Sequence, residues 1–365
     1  MLMAKHNILV MGAGKIGVTV ATLLNTSNDY KVLLGDVSMP HNIPKVKGNP
    51  IEFVKTNINK PEEIKKLIKK EKIKAIISCL PFNLTILVAK IAHECGIHYF
   101  DPTEDVATTN TVSKLAKDSK AAFAPQCGLA PGFISIAANS LMQNLSEIDT
   151  VKMRVGALTQ SVNNSLKYGF TWSIDGVVNE YIHPCVVIKD GHKQNMPALG
   201  GLETIIIDDK EFEAFHTSGG VGSLADTYLG KVKNLDYKTI RFPGHCEKII
   251  FLLNDLRLRE TPELVKNILS KVIPQVEDDK VIVYVSVSGK KDGRLVEKTY
   301  VNTLYPTIFH GHKFSAIQMT TAAGICTVVD LVIKEKKLKG LVKQEQVSLE
   351  QFLSNRFGKY YALSK

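Results

Sequence analysis

Short, mainly apolar runs at positions 8–11, 31–35, 75–80, 98–100 and 121–124 give the first third of the chain a regular rhythm. An apolar run without alternation is buried on both faces, the mark of a parallel strand rather than a half-exposed antiparallel one. The stretches between them read as helices: one following Gly17, one from Pro61 to about residue 70, one over 84–95 and one over about 106–119. Pro61 suits a first helical turn, where its missing N–H would have no intrahelical partner. With a further strand at 51–56, the series predicts a doubly wound parallel sheet of Rossmann type, which takes ligands at the carboxyl ends of its strands.

Beyond Asn144 the rhythm changes. Residues 151–158 alternate like a half-buried strand, and 185–189 lead into Asp190-Gly191 as the first arm of a hairpin. Residues 281–288 and 295–302 flank Asp292-Gly293, a strong hairpin-turn signal. Helices are expected over 244–255 and 261–273, so the second half reads as an α+β domain around a mixed or antiparallel sheet. An apolar helix containing Ala322, Ala323 and Gly324 follows over 316–333, then a charged stretch and a last helical segment at 349–361.

The chain's 365 residues suit two domains, and its 44% hydrophobic and 22% charged residues are ordinary for a globular protein. A net charge of +10 raises the question of nucleic acid, but only six of the 46 basic residues are Arg and no basic block forms, so solvated surface is expected. No charged leader with an apolar core opens the sequence and no apolar run reads as a membrane span, so the expectation is a cytoplasmic protein without membrane or nucleic-acid partners. Six widely spaced cysteines without C-x-x-C predict reduced thiols and no metal site.

Gly12-Ala13-Gly14-Lys15-Ile16-Gly17 fits G-x-G-x-x-G between a strand and a helix. The three glycines serve the tight turn, the approach of backbone to a pyrophosphate, and close packing of helix on sheet. Asp36 ends the second strand, where a carboxylate hydrogen-bonds a ribose 2′-hydroxyl and repels a 2′-phosphate; NAD is expected over NADP. Ser78, Cys79, Leu80, Pro81, Asp101 and residues 126–130, including Cys127, Gly128 and Leu129, are cofactor-side candidates by position at strand ends. The turn from Gln126 to Gly132 is assigned to the nicotinamide, with a plain connecting turn as the alternative, and Cys127 reads as a packing or cofactor-contact residue rather than a nucleophile.

In the second half, Tyr168 to Ser173 surround the single Trp172, with Asp175 and Glu180 following. This mixture suits the wall of a polar small-molecule site and equally a buried structural Trp. Thr217-Ser218-Gly219-Gly220 precede a short helix at 224–229 and offer free amides to an anion, or form a simple glycine loop. Residues 236–245 are the densest stretch: a strand presents Lys238 and Arg241 on opposite faces, and Pro243-Gly244 turn the chain so that His245 opens a helix. Arg241 has the planar fork for a carboxylate, and His245, kept uncharged by a helix N-terminus, is a proton acceptor near neutrality. A surface Arg and a helix-capping His are the bland reading.

With VMGAGKIG, PQCGLAPGF, YGFTWSIDGVVNEYIHPCVVIKDG, EAFHTSGG, LDYKTIRFPGHCEK and TAAGICTVVDLV, the chain resembles the saccharopine dehydrogenase-like family, and within it the L-lysine 6-dehydrogenases. The resemblance implies a Rossmann domain (1–125), a substrate and dimerisation domain (126–312) and a C-terminal segment (313–365) packing back on the first, in a homodimer. It implies NAD-dependent oxidation at the amine-bearing 6-carbon of lysine, an amino-acid substrate. His245 is then the base and Lys238 its alternate; Arg241 and the amides of Thr217, Ser218 and Gly219 hold the carboxylate, and Glu180 or Asp175 the α-ammonium. Saccharopine reductases and carboxynorspermidine dehydrogenases resemble G-x-D-P-G where this chain has Ala130, which argues against a saccharopine or carboxylated-polyamine substrate. An enzyme acting on the secondary amine of saccharopine or of a carboxylated polyamine stays the alternative, and a non-catalytic NAD-binding protein is a further one.

Overall fold

The computed structural model describes residues 5–40, 43–46, 50–335 and 338–362. Its first elements are β1 (His6–Met11), α1 (Lys15–Thr26), β2 (Tyr30–Asp36), β3 (Glu52–Lys55), α2 (Pro61–Lys70), β4 (Ala75–Ser78), α3 (Phe82–Cys95), β5 (His98–Phe100), α4 (Val106–Ala116), β6 (Ala122–Ala124) and α5 (Phe133–Met142). The second half adds β7 (Glu147–Thr159), α6 (Ile174–Ile182), β8 (Cys185–Lys189), β9 (His192–Met196), β10 (Glu203–Ile207), β11 (Lys210–His216), α7 (Leu224–Thr227), β12 (Val232–Arg241), α8 (His245–Ile250), α9 (Pro262–Val272), β13 (Asp279–Lys291) and β14 (Arg294–Leu304). The chain closes with β15 (Thr307–Phe309), β16 (His312–Phe314), α10 (Ala316–Glu335), β17 (Gly340–Leu341) and α11 (Leu349–Ser354).

The first compact unit runs to Phe133 and takes in residues 308–314 and the chain from Gln318 onward. Its parallel sheet has the order β17-β6-β5-β4-β1-β2-β3, so the direction of winding reverses between β1 and β4, the crevice where doubly wound sheets bind ligands. Apolar residues fill both faces because successive side chains of a strand point to opposite sides. Ile8 and Val10 of β1 pack with α1 and the later turns of α10, whereas Leu9 and Met11 pack toward α2, α3 and α4.

By its contacts the Gln126–Gly132 turn is built into the first compact unit: a Cβ on Gly128 would lie 3.0 Å from Pro102, and one on Gly324 of α10 only 2.5 Å from the Gly128 carbonyl. One expectation needs correction here. Residues 316–335 do reach membrane-spanning length and hydropathy, yet 83% of that window is buried; α10 is a core helix, with Met319, Ala322, Ile325, Val328 and Val332 in the hydrophobic centre of the first unit.

The second unit is centred on an eight-stranded mixed sheet with the path β10-β11-β12-β7-β13-β14 and the β8–β9 hairpin attached. β12 and β7 are parallel, and the other pairings are antiparallel. The Asp292-Gly293 turn joins the long strands β13 and β14 in continuous register. Helices α6, α8 and α9 share one apolar core with Tyr168, Phe170, Tyr181 and Phe215. The helix expected over 244–255 is α-helical only to Ile250 and continues as a π-helical turn over Phe251–Asp255. Residues 224–229 reduce to the four-residue α7.

Candidate functional site

The glycine turn has the features a dinucleotide requires. Gly12 has φ +102°, and a Cβ there would lie 2.7 Å from the Cys79 carbonyl; on Gly17 it would overlap the Gly12 carbonyl at 1.8 Å. At Gly14 a Cβ would meet nothing within 4 Å, so the space beside it is open. Helix α1 begins there with no side-chain cap and no acid in its first turn, leaving its N-terminal amides suited to a phosphate. Asp36 receives the Ala13 and Val37 N–H groups, each at 2.6 Å, and so ties the glycine turn to the end of β2. Lys15 and Ile16 occupy the first turn of α1.

The other strand-end candidates divide. Cys79, Leu80 and Pro81 line the partly exposed turn between β4 and α3, with the Cys79 thiol pushed up to about 12 by burial and by Asp101. Ser78 is fully buried and bonds Thr85 at 3.0 Å, which makes it part of the core. Asp101 is also fully buried; it accepts from Thr103 N–H at 2.8 Å, and burial raises its pKa to about 6. Cys127 donates its N–H and its thiol to the Asp101 carbonyl, at 2.9 and 3.2 Å. Burial, reinforced by Asp101, holds that thiol well above its usual range, so it stays protonated and packs the turn together with Gly128 and Leu129. Sequence reading missed Glu104 in the loop after β5. Its half-buried carboxyl is raised to about 7 by desolvation and by Asp105 and Asp101, whereas Asp105 is committed to capping α4 through Thr108 N–H.

The second unit brings Arg241, Tyr168, Tyr181, Glu180 and His245 together. Arg241, at the end of β12, is 3% exposed. Its Nε–H donates to the Tyr181 hydroxyl at 3.0 Å and its Nη1 to the Ile240 carbonyl at 2.9 Å. The guanidinium also lies over the Tyr168 ring, 5.0 Å from the centroid. Burial opposes its charge, but Tyr181, Tyr168 and Glu180 outweigh that and hold its pKa above the ordinary value. No carboxylate forms an ion pair with it among the described residues. The Tyr168 hydroxyl, like Thr171 and Thr217 Oγ1, is buried without a well-formed hydrogen bond. A buried donor left in that state costs about 1–3 kcal/mol, so a cation and a hydroxyl side by side form a waiting place for an anion.

His245 does not fit the role of base. It is buried, its Nδ1 lies 2.8 Å from the Leu166 carbonyl, and its Nε2 lies 3.1 Å from the Tyr181 hydroxyl. Its pKa falls to about 3, mainly through burial and then through the Arg241 charge, so the expected helix-terminus effect is not the cause. The start of α8 is instead covered by Glu213, which sequence reading missed: its carboxylate accepts from Gly244 N–H at 2.8 Å and Cys246 N–H at 2.5 Å.

Other expected contacts are spent elsewhere. Asp175 projects from the outer side of α6 and pairs with Lys266 at 2.8 Å, while Glu180, five residues on and so on another side of the helix, is buried. Ser218 gives its N–H to the Glu180 carbonyl and its hydroxyl to the Pro184 carbonyl, each at 3.0 Å. Ser218 therefore clamps the end of α6, and its amide is not free for an anion. Trp172 packs partly buried against the α6–α8–α9 core. Lys238 emerges, as the strand period requires, on the other face of β12, paired with Glu203 at 3.0 Å. Around it lies a cavity of about 200 Å³ bordered by Arg154, His216, Glu203 and Asp236.

Residues 8–125 match the family described as the saccharopine dehydrogenase NADP binding domain, and residues 128–356 that described as the saccharopine dehydrogenase C-terminal domain. The mitochondrial alpha-aminoadipic semialdehyde synthase of Mus musculus is 25% identical over 213 residues, 54% of this chain, and the Bos taurus protein is similar at 25% over 206 residues. The chain spans only 22% of the length of each. Among solved structures, the saccharopine dehydrogenase (L-Glu forming) of Saccharomyces cerevisiae matches 95% of both chains with a TM-score of 0.72 at 14% identity. The homospermidine synthase of Legionella pneumophila, solved with NAD, covers 99% of this chain and 90% of its own with a TM-score of 0.69 at 14% identity. These structural likenesses establish a shared fold.

Proposed function

Because the chain belongs to the saccharopine dehydrogenase family, whose first domain takes a nicotinamide dinucleotide, we propose that it oxidises the CH–NH2 group at the 6-carbon of L-lysine with NAD to an imine, which water hydrolyses to ammonia and an aldehyde that can cyclise. The observation that carries this reading is a buried guanidinium, Arg241, that forms no ion pair with a carboxylate among the described residues, with Glu180 as a nearby negative charge and a Tyr168 hydroxyl without a well-formed hydrogen bond beside it. A guanidinium for a carboxylate and a carboxylate for an ammonium are the two anchors an α-amino acid requires. A simple diamine would leave Arg241 unanswered. NAD is favoured over NADP because Asp36 at the end of β2 is already bonded to the turn that would hold the pyrophosphate, and a 2′-phosphate would face its charge.

Held at the Gly12–Gly17 turn and Asp36, NAD would supply the hydride acceptor; the chain's own residues must bind, orient and deprotonate the amine. Free lysine's ε-nitrogen, with a reference pKa near ~10.4, is protonated at neutral pH and has no lone pair with which to expel a hydride. His245 and Lys238 are both committed to neighbours, which leaves neither of them free to take the proton.

The test is incubation with NAD or NADP and a panel of lysine, saccharopine, cadaverine and carboxylated polyamines, with reduced cofactor and free ammonia measured together. Equal amounts of ammonia and reduced cofactor from lysine support the reading. Reduced cofactor from saccharopine without ammonia would instead indicate a secondary-amine dehydrogenase, and NAD binding without turnover on any amine a non-catalytic protein.

A further inference from the structure

The chain of contacts from the Leu166 carbonyl through His245 and Tyr181 to Arg241 has only one consistent direction. A carbonyl oxygen accepts and cannot donate, so the Leu166 contact at 2.8 Å puts the imidazole proton on Nδ1. Nε2 is then an acceptor, and the Tyr181 hydroxyl at 3.1 Å must give it its proton. That hydroxyl's oxygen remains free to accept, and it receives Arg241 Nε–H at 3.0 Å. With Nη1 bound to the Ile240 carbonyl and the guanidinium against the Tyr168 ring, two edges and one face of the group are fixed. Among the described residues Nη2 meets no carbonyl or carboxylate, and the Tyr168 hydroxyl is its neighbour.

We propose that His245 and Tyr181 are positioning residues: the Nδ1-protonated imidazole orients the Tyr181 hydroxyl, which holds the Arg241 guanidinium with Nη2 presented to the carboxylate of the substrate. The inference rests on the reading of Arg241 as the carboxylate anchor. His245 is surrounded by Tyr168, Tyr181 and Phe215, the last stacked at 8° between ring planes, and the cations nearest it are Arg241 and Lys248. A proton added to Nε2 would meet the Tyr181 hydroxyl proton and the Arg241 charge, so the imidazole orders this chain and does not cycle protons. The Leu166 carbonyl is presented by a loop in which Asn164 receives Tyr168 N–H at 3.2 Å and donates to the Tyr168 carbonyl at 2.6 Å.

Tyr181→Phe and His245→Gln separate this role from catalysis by a base. Both variants should raise the KM for lysine by about tenfold and weaken calorimetric lysine binding in parallel, with kcat within about threefold of wild type and the alkaline rise of kcat unchanged. Cadaverine, which has no carboxylate, should respond little. Proton–nitrogen spectra of the whole protein provide a readout independent of turnover: His245 should show the Nδ1–H tautomer, and the Arg241 Nε–H, slow to exchange in wild type, should exchange rapidly in Tyr181→Phe. Thermal melting and NAD binding verify that the variants fold, and His245→Asn, which keeps an amide donor for Leu166, replaces the Gln variant if that one does not.

A kcat loss of about 100-fold in His245→Gln with lysine KM unchanged would overturn the proposal and restore His245 as the base. An Nε2–H tautomer, or an unchanged lysine KM in Tyr181→Phe, would also overturn it. If the spectra behave as expected while wild type oxidises no amine, the hydrogen-bond chain stands and the lysine reading falls.

Discussion

The two faces of β12 each bury a cation, and they treat it in opposite ways. Arg154, reaching from β7 to the Lys238 face, is 1% exposed and fully answered: Nε binds Glu203 at 2.5 Å, and Nη1 and Nη2 bind Asp236 at 2.8 and 3.2 Å. Burial pushes the Glu203 carboxyl up, but Arg154 and Lys238 outweigh it and hold the pKa below the usual carboxylate range. Arg241, equally buried on the other face, has hydroxyls, a carbonyl and aromatic rings for neighbours, with Glu180 as the nearby negative charge. A buried charge in low dielectric is expensive unless paired. Where the pairing is complete the group serves the fold; where it is incomplete, the group can still accept an anion, the role proposed for Arg241.

The largest effect that would sharpen this contrast is on stability. Arg154→Met should cost about 3 kcal/mol by leaving Glu203 and Asp236 with Lys238 alone as their cation, visible as a lower urea midpoint at an unchanged m-value. The folded fraction should keep the wild-type KM for lysine. A large KM change with little loss of stability would exchange the roles of the two faces.

Acid gives the next effect. The folded-state pKa of His245 is depressed to about 3, so its contribution is fully present above the unfolded value near ~6.5 and is lost as pH falls toward 3, because the unfolded chain binds the proton that the folded chain refuses. The loss amounts to a few kcal/mol at most. His245→Gln should flatten the fall of stability between about pH 6.5 and pH 4, leaving the part contributed by His216, whose pKa burial also depresses. An equally steep fall in the variant would show that His245 is not buried in its neutral form.

Lys238→Met should do least. Lys238 is buried, but Glu203 and Asp236 keep Arg154 and Met fills a similar volume, so the change should cost about 1 kcal/mol, the net worth of one hydrogen bond, with turnover and its pH profile unaltered. A lost alkaline rise would return Lys238 to consideration as the base.

Much of the fold was legible because it depends on local periodicity. The unbroken apolar runs at 8–11 and 75–80 required burial on both sides, and a separation of three residues put Lys238 and Arg241 on opposite faces before any contact was known. The partners of the site were not legible in this way. Tyr181 lies 60 residues before Arg241 and Leu166 lies 79 before His245, distances over which no pattern carries information. His245 read as a base because its residue type titrates near neutrality, whereas burial and a neighbouring cation, both tertiary facts, decide its charge. Asp175 was separable in principle: five residues of a helix turn it about 140° away from Glu180, so both could not face one ligand. Strand β17 is two residues long and makes its pairing with β6 without any sequence signature.

The central claim, that Arg241 is left unpaired for the carboxylate of an amino acid, is tested most directly by titrating lysine and cadaverine calorimetrically into the NAD-loaded protein and its Arg241→Lys variant. Wild type should bind lysine at least about tenfold more tightly than cadaverine, a difference of about 1.4 kcal/mol, and Arg241→Lys should remove most of that preference by losing the planar fork. Equal affinity for the two ligands in wild type, or a preference for lysine that survives Arg241→Lys, would contradict the account.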